Sequence, residues 1–305
     1  MSLASKLPWT HRFAGGFSGI GSQPLPTDAD AIDYLTRVAA ADGAGVETGV
    51  AVAVDAFFRD TKDAGVFDAL KACCILAGAR TITGALVPLA GPAPTAQGAW
   101  ASGDYSRTAG MTGDGNALYL DSNYSNAEDD VDDQHMSVYI SESASVAGGY
   151  IGVAEGSITG ATHFGISGVG GTFFIRNKAS SSDTTGDADS TGFAGMSRAS
   201  SSGYVFRSGG VTDEITKASQ SSYIADIGVF ARQPHTTSQM TDATFAFYSV
   251  GTDIGSAGLV DLDTAVTNLM ADITFFFNTG LNPADYDTET VRYVNAGYAA
   301  GGTLE

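Results

Sequence analysis

The stretch from residue 81 to about 250 constrains the fold most, because short apolar or alternating segments there are separated by Gly, Ser, Thr, Asn and Asp. Met136, Val138 and Ile140 fall on one face of such a segment, as in a strand with one buried side. No helical pattern lies between the segments, so the crossover helices that a parallel sheet needs are missing. The pattern predicts an antiparallel β-sandwich or jelly roll. The expected strands are 85–89, 117–120, 136–141, 150–154, 162–166, 172–176, 192–197, 204–207, 223–231 and 244–250.

Helical spacing in residues 27–77 predicts three short amphipathic helices that share a small core. Thr27 and Asp30 form a helix start signal before the first of them. The third carries Cys73 and Cys74, which as helical neighbours would point apart and form no ordinary disulfide. We expect both cysteines to be small buried hydrophobes. The three apolar stripes are Ile32–Leu35–Val38, Val46–Val50–Val54–Phe57 and Val66–Leu70–Cys73.

Two further helices are expected after the sandwich, one with an apolar stripe from Leu259 to Ile273 and a last one from Pro283. Before the first helix, residues 1–26 show no helical or strand period but carry several apolar side chains. We expect this N-terminal arm to pack on a partner, and packing on its own domain is the alternative. The predicted organisation is an arm at 1–26, a helical module at 27–80, a β-sandwich at 81–252 and C-terminal helices at 253–305.

The formal net charge of −19 argues against two classes of partner. A negative field repels nucleic acid and anionic membrane surfaces, so we expect neither as a partner. No stretch approaches the roughly 20 apolar residues of a membrane span, and the N-terminus lacks the apolar run of a signal peptide. We therefore expect synthesis in a cytoplasm and no membrane insertion.

Motifs that carry chemistry are missing from the sequence. There is no hydrolase elbow, phosphate-binding loop, dinucleotide fingerprint or Cys/His metal spacing, and none of the four histidines forms an i, i+4 pair. Glu155 is the one strand-end glutamate in the sandwich that suggests a glycosidase acid, and a place on the rim explains it better. These observations lead us to expect a protein that is not an enzyme.

The acidic stretch NAEDDVDDQH at 126–135 is the most chemical segment of the chain, with five carboxylates and His135. Calcium takes six to eight oxygen ligands from alternating positions, which makes Asp130 and Asp132 candidate ligands, with Asp129 and Asp133 as another pair. No glycine allows a sharp wrap, and a hydrated loop leading into strand 136–141 is the competing interpretation. No cofactor other than calcium is expected.

Several segments resemble a set of tailed-phage structural proteins. They are AGARTITGALVPLAGPAPT, GDYSRTAGMTGDGNALYLDSN, QHMSVYIS, IADIGVFARQ, ATFAFYSVGTDI and LVDLDTAVTNLM, with a helical lead-in that begins AIDYLTRVAAADGAGVE. The resemblance covers roughly residues 28–272 and implies a concanavalin A-like (laminin G-like) jelly roll that follows a small helical module. It carries over no functional residue, since no motif of known function is matched.

The same resemblance implies a virion component. A tail fibre or tail appendage whose sandwich binds host-surface glycans is the first expectation, and a capsid decoration or head-fibre protein is the alternative. A glycan depolymerase is a third and less favoured one. We expect a homo-oligomer, most simply a trimer, that contacts other virion proteins through the arm and the helices. Tyrosines in or beside turns are either sugar platforms or rim of the core, namely Tyr105, Tyr119, Tyr124, Tyr204 and Tyr223.

Overall fold

The computed structural model describes residues 26–153, 159–167, 171–185, 191–232 and 239–280, and all structural statements below concern these residues. It confirms the predicted mainly β fold, a sandwich of two antiparallel sheets with helices before and after it. Apart from Pro26, the predicted arm lies outside the described residues. So do Glu155 and the helix expected from Pro283.

Helices stand at both ends of the described chain, and the strands lie mostly between them. The helices are α1 (Ala29–Asp42), α2 (Thr48–Asp63), α3 (Ile82–Ala85) and α4 (Gly255–Thr279). The strands are β1 (Leu70–Ile75), β2 (Thr95–Gln97), β3 (Tyr105–Ser106), β4 (Gly110–Thr112), β5 (Tyr119–Ser125), β6 (Gln134–Glu142), β7 (Gly148–Val153), β8 (Ala161–Ile166), β9 (Phe173–Ala179), β10 (Asp183–Thr185), β11 (Gly192–Ser200), β12 (Gly203–Ser208), β13 (Val211–Thr216), β14 (Asp226–Val229) and β15 (Thr244–Gly251).

The strands form two sheets. The first has the order β13-β12-β11-β6-β15-β4-β3, and β1 pairs with the end of β15 that β4 leaves open. The second has the order β10-β9-β8-β7-β14-β5-β2. Neighbouring strands in both sheets run antiparallel, as the missing crossover helices predicted.

A buried aromatic core joins the two sheets. Met136, Val138 and Ile140 of β6 point into it and are almost completely buried, which confirms the predicted face. Tyr150 of the second sheet lies against Phe245 of the first, with their ring centroids 5.2 Å apart. Edge-to-face contacts of this kind add to the free energy gained from apolar burial.

A second core lies between the first sheet and the helices α2 and α4. Phe57 of α2 meets Phe247 of β15 at a centroid distance of 5.7 Å, and the apolar stripe of α4 predicted from Leu259 to Ile273 is buried there. Regular period-two alternation would place Phe245 and Phe247 on the same face of β15, but the strand is irregular there. A register shift between them in the pairing with β6 turns Phe245 into the sandwich and Phe247 toward the helices.

Two local predictions are wrong. The third helix of the predicted module is a 3-10 turn followed by strand β1, which pairs with β15 inside the first sheet. Its alternation sends Cys73 to the helix side and Cys74 into the sandwich. Both are free and fully buried, as expected of small hydrophobes. The expected strand 85–89 is instead the end of the short helix α3 and a turn.

Helix α1 begins one residue later than the start signal suggested. Asp28, rather than Thr27, accepts hydrogen bonds from the backbone N–H groups of Asp30 and Ala31. The buried carboxylate of Asp55 on α2 accepts from the N–H groups of Thr27 and Asp28, both at 2.7 Å, and so ties the entry of α1 to α2. No helix in the described part of the chain is long and apolar enough to cross a membrane.

Candidate functional site

The acidic loop, residues 126–133 between β5 and β6, is held by specific contacts. The Tyr124 hydroxyl donates to Asp129 Oδ1 at 2.7 Å, and the backbone N–H of Asp253 donates to Asp133 Oδ1 at 2.6 Å. The second contact fixes the turn that leads into α4. At least two of the five carboxylates therefore serve to brace the fold.

Lys178 of β9 supplies a positive charge inside this loop. Its side chain is completely buried, and Nζ donates to the carbonyl oxygens of Asp129 at 2.9 Å and Asp130 at 2.7 Å. Burial lowers the pKa of Lys178 to about 8, while the loop aspartates favour its charged form. The lysine is thus protonated at neutral pH and occupies carbonyl ligands of the kind that a calcium ion would use.

The predicted calcium ligands differ in their surroundings. Asp130 lies on the exposed side of the loop, whereas Oδ1 of Asp132 is buried and has no hydrogen-bond partner among the described residues. Within the described ranges, no group of three or more His, Cys, Asp and Glu side chains has the geometry to hold a metal ion. Calcium binding by Asp130 and Asp132 stays a prediction, and Lys178 is the charge with which an ion would compete.

A second buried cation, Arg198, lies on the strand next to β6. Arg198 is fully buried on β11, and its guanidinium donates to the carbonyl oxygens of Asn177, Ser200, Gly203 and Lys217. The charged group thereby ties together strand ends and turns from both sheets. Neither Lys178 nor Arg198 was predicted from the sequence. Each lies just after an expected strand, 172–176 or 192–197, and nothing in the local sequence relates either residue to the acidic loop.

His135 has a structural role at the start of β6. Its Nδ1 lies 2.6 Å from the carbonyl oxygen of Thr252, which can only accept, so Nδ1 donates and Nε2 accepts from the Ser249 hydroxyl at 3.1 Å. Burial lowers the pKa of His135 to about 4, and the ring is therefore neutral at pH 7. The Ser137 and Ser249 hydroxyls continue the chain at 2.7 Å. The ring is fully buried, so a ligand does not reach it.

A polar groove of about 300 Å³ lies beside the acidic loop, on the outer face of the first sheet and next to the first turn of α4. Ser197 fixes its floor, because the hydroxyl donates to Asp253 Oδ1 at 2.5 Å and accepts from the N–H groups of Ile254 and Gly255. The lining is rich in hydroxyl groups and contains two carboxylates and no basic side chain. It consists of Ser197, Ala199, Ser200, Ser202, Gly203, Tyr204, Val205, Glu214, Ile215, Thr216, Asp253, Gly255 and Ser256.

Asp253 joins the groove to the acidic loop. Its carboxylate borders the groove, while its backbone N–H donates a hydrogen bond to Asp133 of the loop.

Of the tyrosines considered as sugar platforms, Tyr119 and Tyr204 are buried at the rim of the sandwich core. The hydroxyl of Tyr105 donates to the carbonyl of Ala79. The groove therefore offers hydrogen-bonding groups rather than a flat aromatic surface.

Comparisons with known proteins give structural likenesses of low similarity. No protein-family model matches the sequence, and no curated protein matches it. Tailspike protein 2 of Escherichia coli O157:H7 bacteriophage CAB120 aligns with 48% of this chain and 23% of its own length, at 9% identity and a TM-score of 0.31. A Trypanosoma rangeli sialidase, solved with 2,3-difluorosialic acid, aligns with 72% of this chain and 40% of its own length, at 10% identity and a TM-score of 0.32. The chain thus spans less than half the length of either protein.

The sialidase corrects one expectation. From the missing motifs we expected a protein that is not an enzyme, and the presence of an enzyme among the similar structures contradicts that expectation. We withdraw it. At these TM-scores the likeness assigns no reaction to this chain.

Proposed function

We propose that the chain is a structural component of a tailed-phage virion, a tail fibre or tail appendage, whose sandwich binds a host-surface glycan. The hydroxyl-lined groove carries the binding part of this proposal, because about 300 Å³ lies at the lower end of the volumes of small-molecule sites and suits a short glycan. The sequence segments that resemble tailed-phage structural proteins support the virion part.

The groove favours one chemical class of glycan. Its lining contains Glu214 and Asp253 but no Lys, Arg or His. Carboxylates at such a site attract amine-bearing sugars, accept hydrogen bonds from neutral sugars and repel acidic ones. The proposed ligand is therefore a neutral or amine-bearing glycan, in contrast to the sialic-acid derivative bound by the sialidase.

Assembly and location belong to the same proposal. A homotrimer that contacts other virion proteins through the N-terminal arm and the helices suits a tail fibre, since closed cyclic symmetry is the usual arrangement of such oligomers. A capsid decoration or head-fibre protein is the alternative. Gold-labelled antibodies on intact virions would decide between them, with label at the tail supporting the proposal and label over the shell overturning it.

Glycan binding is tested on an array of neutral, amine-bearing and acidic glycans. Ser202 lies in the groove and is exposed, so Ser202→Trp should fill the groove and abolish binding to any glycan that the wild type captures. The matched control is Val211→Trp, because Val211 is exposed on β13 outside the groove. Equal loss in both variants, or a wild type that prefers acidic glycans, would overturn the assignment to this groove.

Cleavage is measured separately from binding. The wild type and Glu214→Gln are incubated with a polysaccharide that the array identifies, and released reducing ends are assayed. Glu214→Gln removes one of the two carboxylates that line the groove, so binding of amine-bearing sugars should weaken about two- to fivefold, as expected for loss of one exposed ion pair. Release of reducing ends by the wild type would add a hydrolytic activity to the binding site.

A further inference from the structure

A second groove, of about 530 Å³, lies between α1 and α2, away from the polar groove. Its walls are mostly apolar, and Ile32 on α1 is 46% exposed there. The hydroxyl of Thr36 already donates to the carbonyl of Ile32 at 2.8 Å, so it needs no partner from a ligand. We therefore expect an apolar group to bind in this groove. The lining residues are Pro26, Ile32, Leu35, Thr36, Ala39, Val46, Thr48 and Ala51.

The position of Pro26 indicates which segment of the chain is near enough to fill the groove. Pro26 lines the groove and is the first described residue of the chain, so residues 1–25 leave from the edge of the groove itself. A segment attached at the edge of its binding surface has a high effective concentration there, and closing such a short loop costs little entropy. Its large apolar side chains are Leu7, Trp9, Phe13, Phe17, Ile20 and Leu25.

The overall charge of the chain is compatible with the same occupant. Residues 1–25 contain Lys6 and Arg12 and no Asp or Glu, although the whole chain has 34 acidic and 15 basic residues. The exposed aspartates of α1 are already paired, Asp30 with Lys62 and Asp33 with Arg37. The lining of the groove contains no charged side chain, so the contacts that it offers to the segment are apolar.

We propose that the α1–α2 groove is the docking site of residues 1–25 of the same chain. The apolar side chains of the segment fill the groove. This goes beyond the proposed glycan binding and does not depend on it. It assigns the arm to its own chain, so under this proposal the contact with other virion proteins is left to the helices.

Disulfide trapping in the full chain tests the proposal. Ile32→Cys is combined in turn with Phe13→Cys, Phe17→Cys and Ile20→Cys, and each pair is oxidised and examined on a non-reducing denaturing gel. The native Cys73 and Cys74 are fully buried and do not interfere. Val211→Cys, on exposed β13, replaces Ile32→Cys in the matched controls. A cross-link within single chains for at least one pair, and for no control, is the expected result. Cross-links only between chains, or none, would overturn it.

Limited trypsin digestion gives an independent measurement. The bond after Arg12 should be cut about tenfold faster in Ile32→Asp than in the wild type, because a charge in the groove releases the segment. Ile224→Asp is the control, since Ile224 is 80% exposed and outside the groove. Circular dichroism confirms that each variant is folded. Equal cleavage rates in all three proteins would refute docking even if a cross-link had formed.

Discussion

Replacing Lys178 by Met tests whether the acidic loop depends on its internal ammonium group. The substitution removes two charge-assisted hydrogen bonds, at 2.9 and 2.7 Å, to the carbonyl oxygens of Asp129 and Asp130. Each contributes about 1.5–3 kcal/mol, and part of this is offset because methionine needs no desolvation of a charge. We expect the free energy of unfolding to fall by about 3 kcal/mol, which corresponds to about 5 °C in Tm for a chain of 305 residues.

Urea unfolding followed by tryptophan fluorescence and circular dichroism measures the effect. Lys217→Met is the matched control, because Lys217 also carries an ion pair, to Asp183 at 2.8 Å, but is partly exposed. It should cost about 0–1 kcal/mol, as expected of a surface pair. If Lys178→Met were as stable as Lys217→Met, the internal ammonium would have no part in holding the loop.

The pH dependence of the same variant has a defined sign. Burial lowers the pKa of Lys178 to about 8 in the folded chain, against an ordinary value of 10.5. Between these values the unfolded chain retains a proton that the folded chain has lost, so the contribution of this group to the free energy of unfolding rises with pH. The difference in stability between wild type and Lys178→Met should therefore grow from pH 8 to pH 10.5. A constant difference would contradict the lowered pKa.

Calcium distinguishes the two interpretations of the loop. In Lys178→Met the carbonyl oxygens of Asp129 and Asp130 lose their cation, so millimolar calcium should raise the Tm of this variant more than that of the wild type. Adding Asp130→Ala and Asp132→Ala should remove the calcium effect. Identical calcium responses in all of these proteins would end the calcium hypothesis and leave the loop as a braced edge.

Three further substitutions probe other parts of the fold. Phe247→Ala should cost about 3–5 kcal/mol in urea unfolding, because it opens a cavity beside Phe57 between the first sheet and the helices. Ser197→Ala should cost about 1 kcal/mol, since the hydroxyl accepts from two N–H groups at the start of α4, and a loss below the error of the measurement would contradict this capping role. Because burial holds the pKa of His135 near 4, the unfolded chain binds the extra proton first. Stability should then decline as pH falls from 6.5 toward 4, and His135→Gln should flatten that decline.

The sandwich could be predicted because its strands alternate and because no helical pattern interrupts them. Met136, Val138 and Ile140 define the face of β6 by period two alone. Strand β1 could not be recognised in this way. It is buried on both faces, between the sandwich core and the helix layer, so its residues from Leu70 to Ile75 are nearly all apolar. A short apolar run of this kind has no period that separates a strand from a helix.

The candidate site was less predictable, since it depends on residues that the fold brings together from distant segments. The acidic loop was evident from composition, but Lys178 lies far along the chain and enters the loop only through the pairing of β8 with β9 and the positive φ of 43° at Lys178 itself. The groove likewise joins a turn after β11, strand β13 and the first turn of α4. No local sequence pattern predicts that these distant segments come together in the fold.

The acidic loop acts on the groove through the backbone rather than through its charge. Asp133 holds the N–H of Asp253, and Asp253 with Ser197 fixes the first turn of α4, which forms one wall of the groove. Substitutions that loosen the loop should therefore weaken the proposed glycan binding, even though no loop side chain lines the groove. Lys178→Met offers this comparison, because it removes no lining group and acts on the loop through the carbonyl oxygens of Asp129 and Asp130. In this interpretation the carboxylates of Asp129 and Asp133 accept hydrogen bonds at a junction of loops, and the buried ammonium group offsets part of the repulsion among the loop carboxylates.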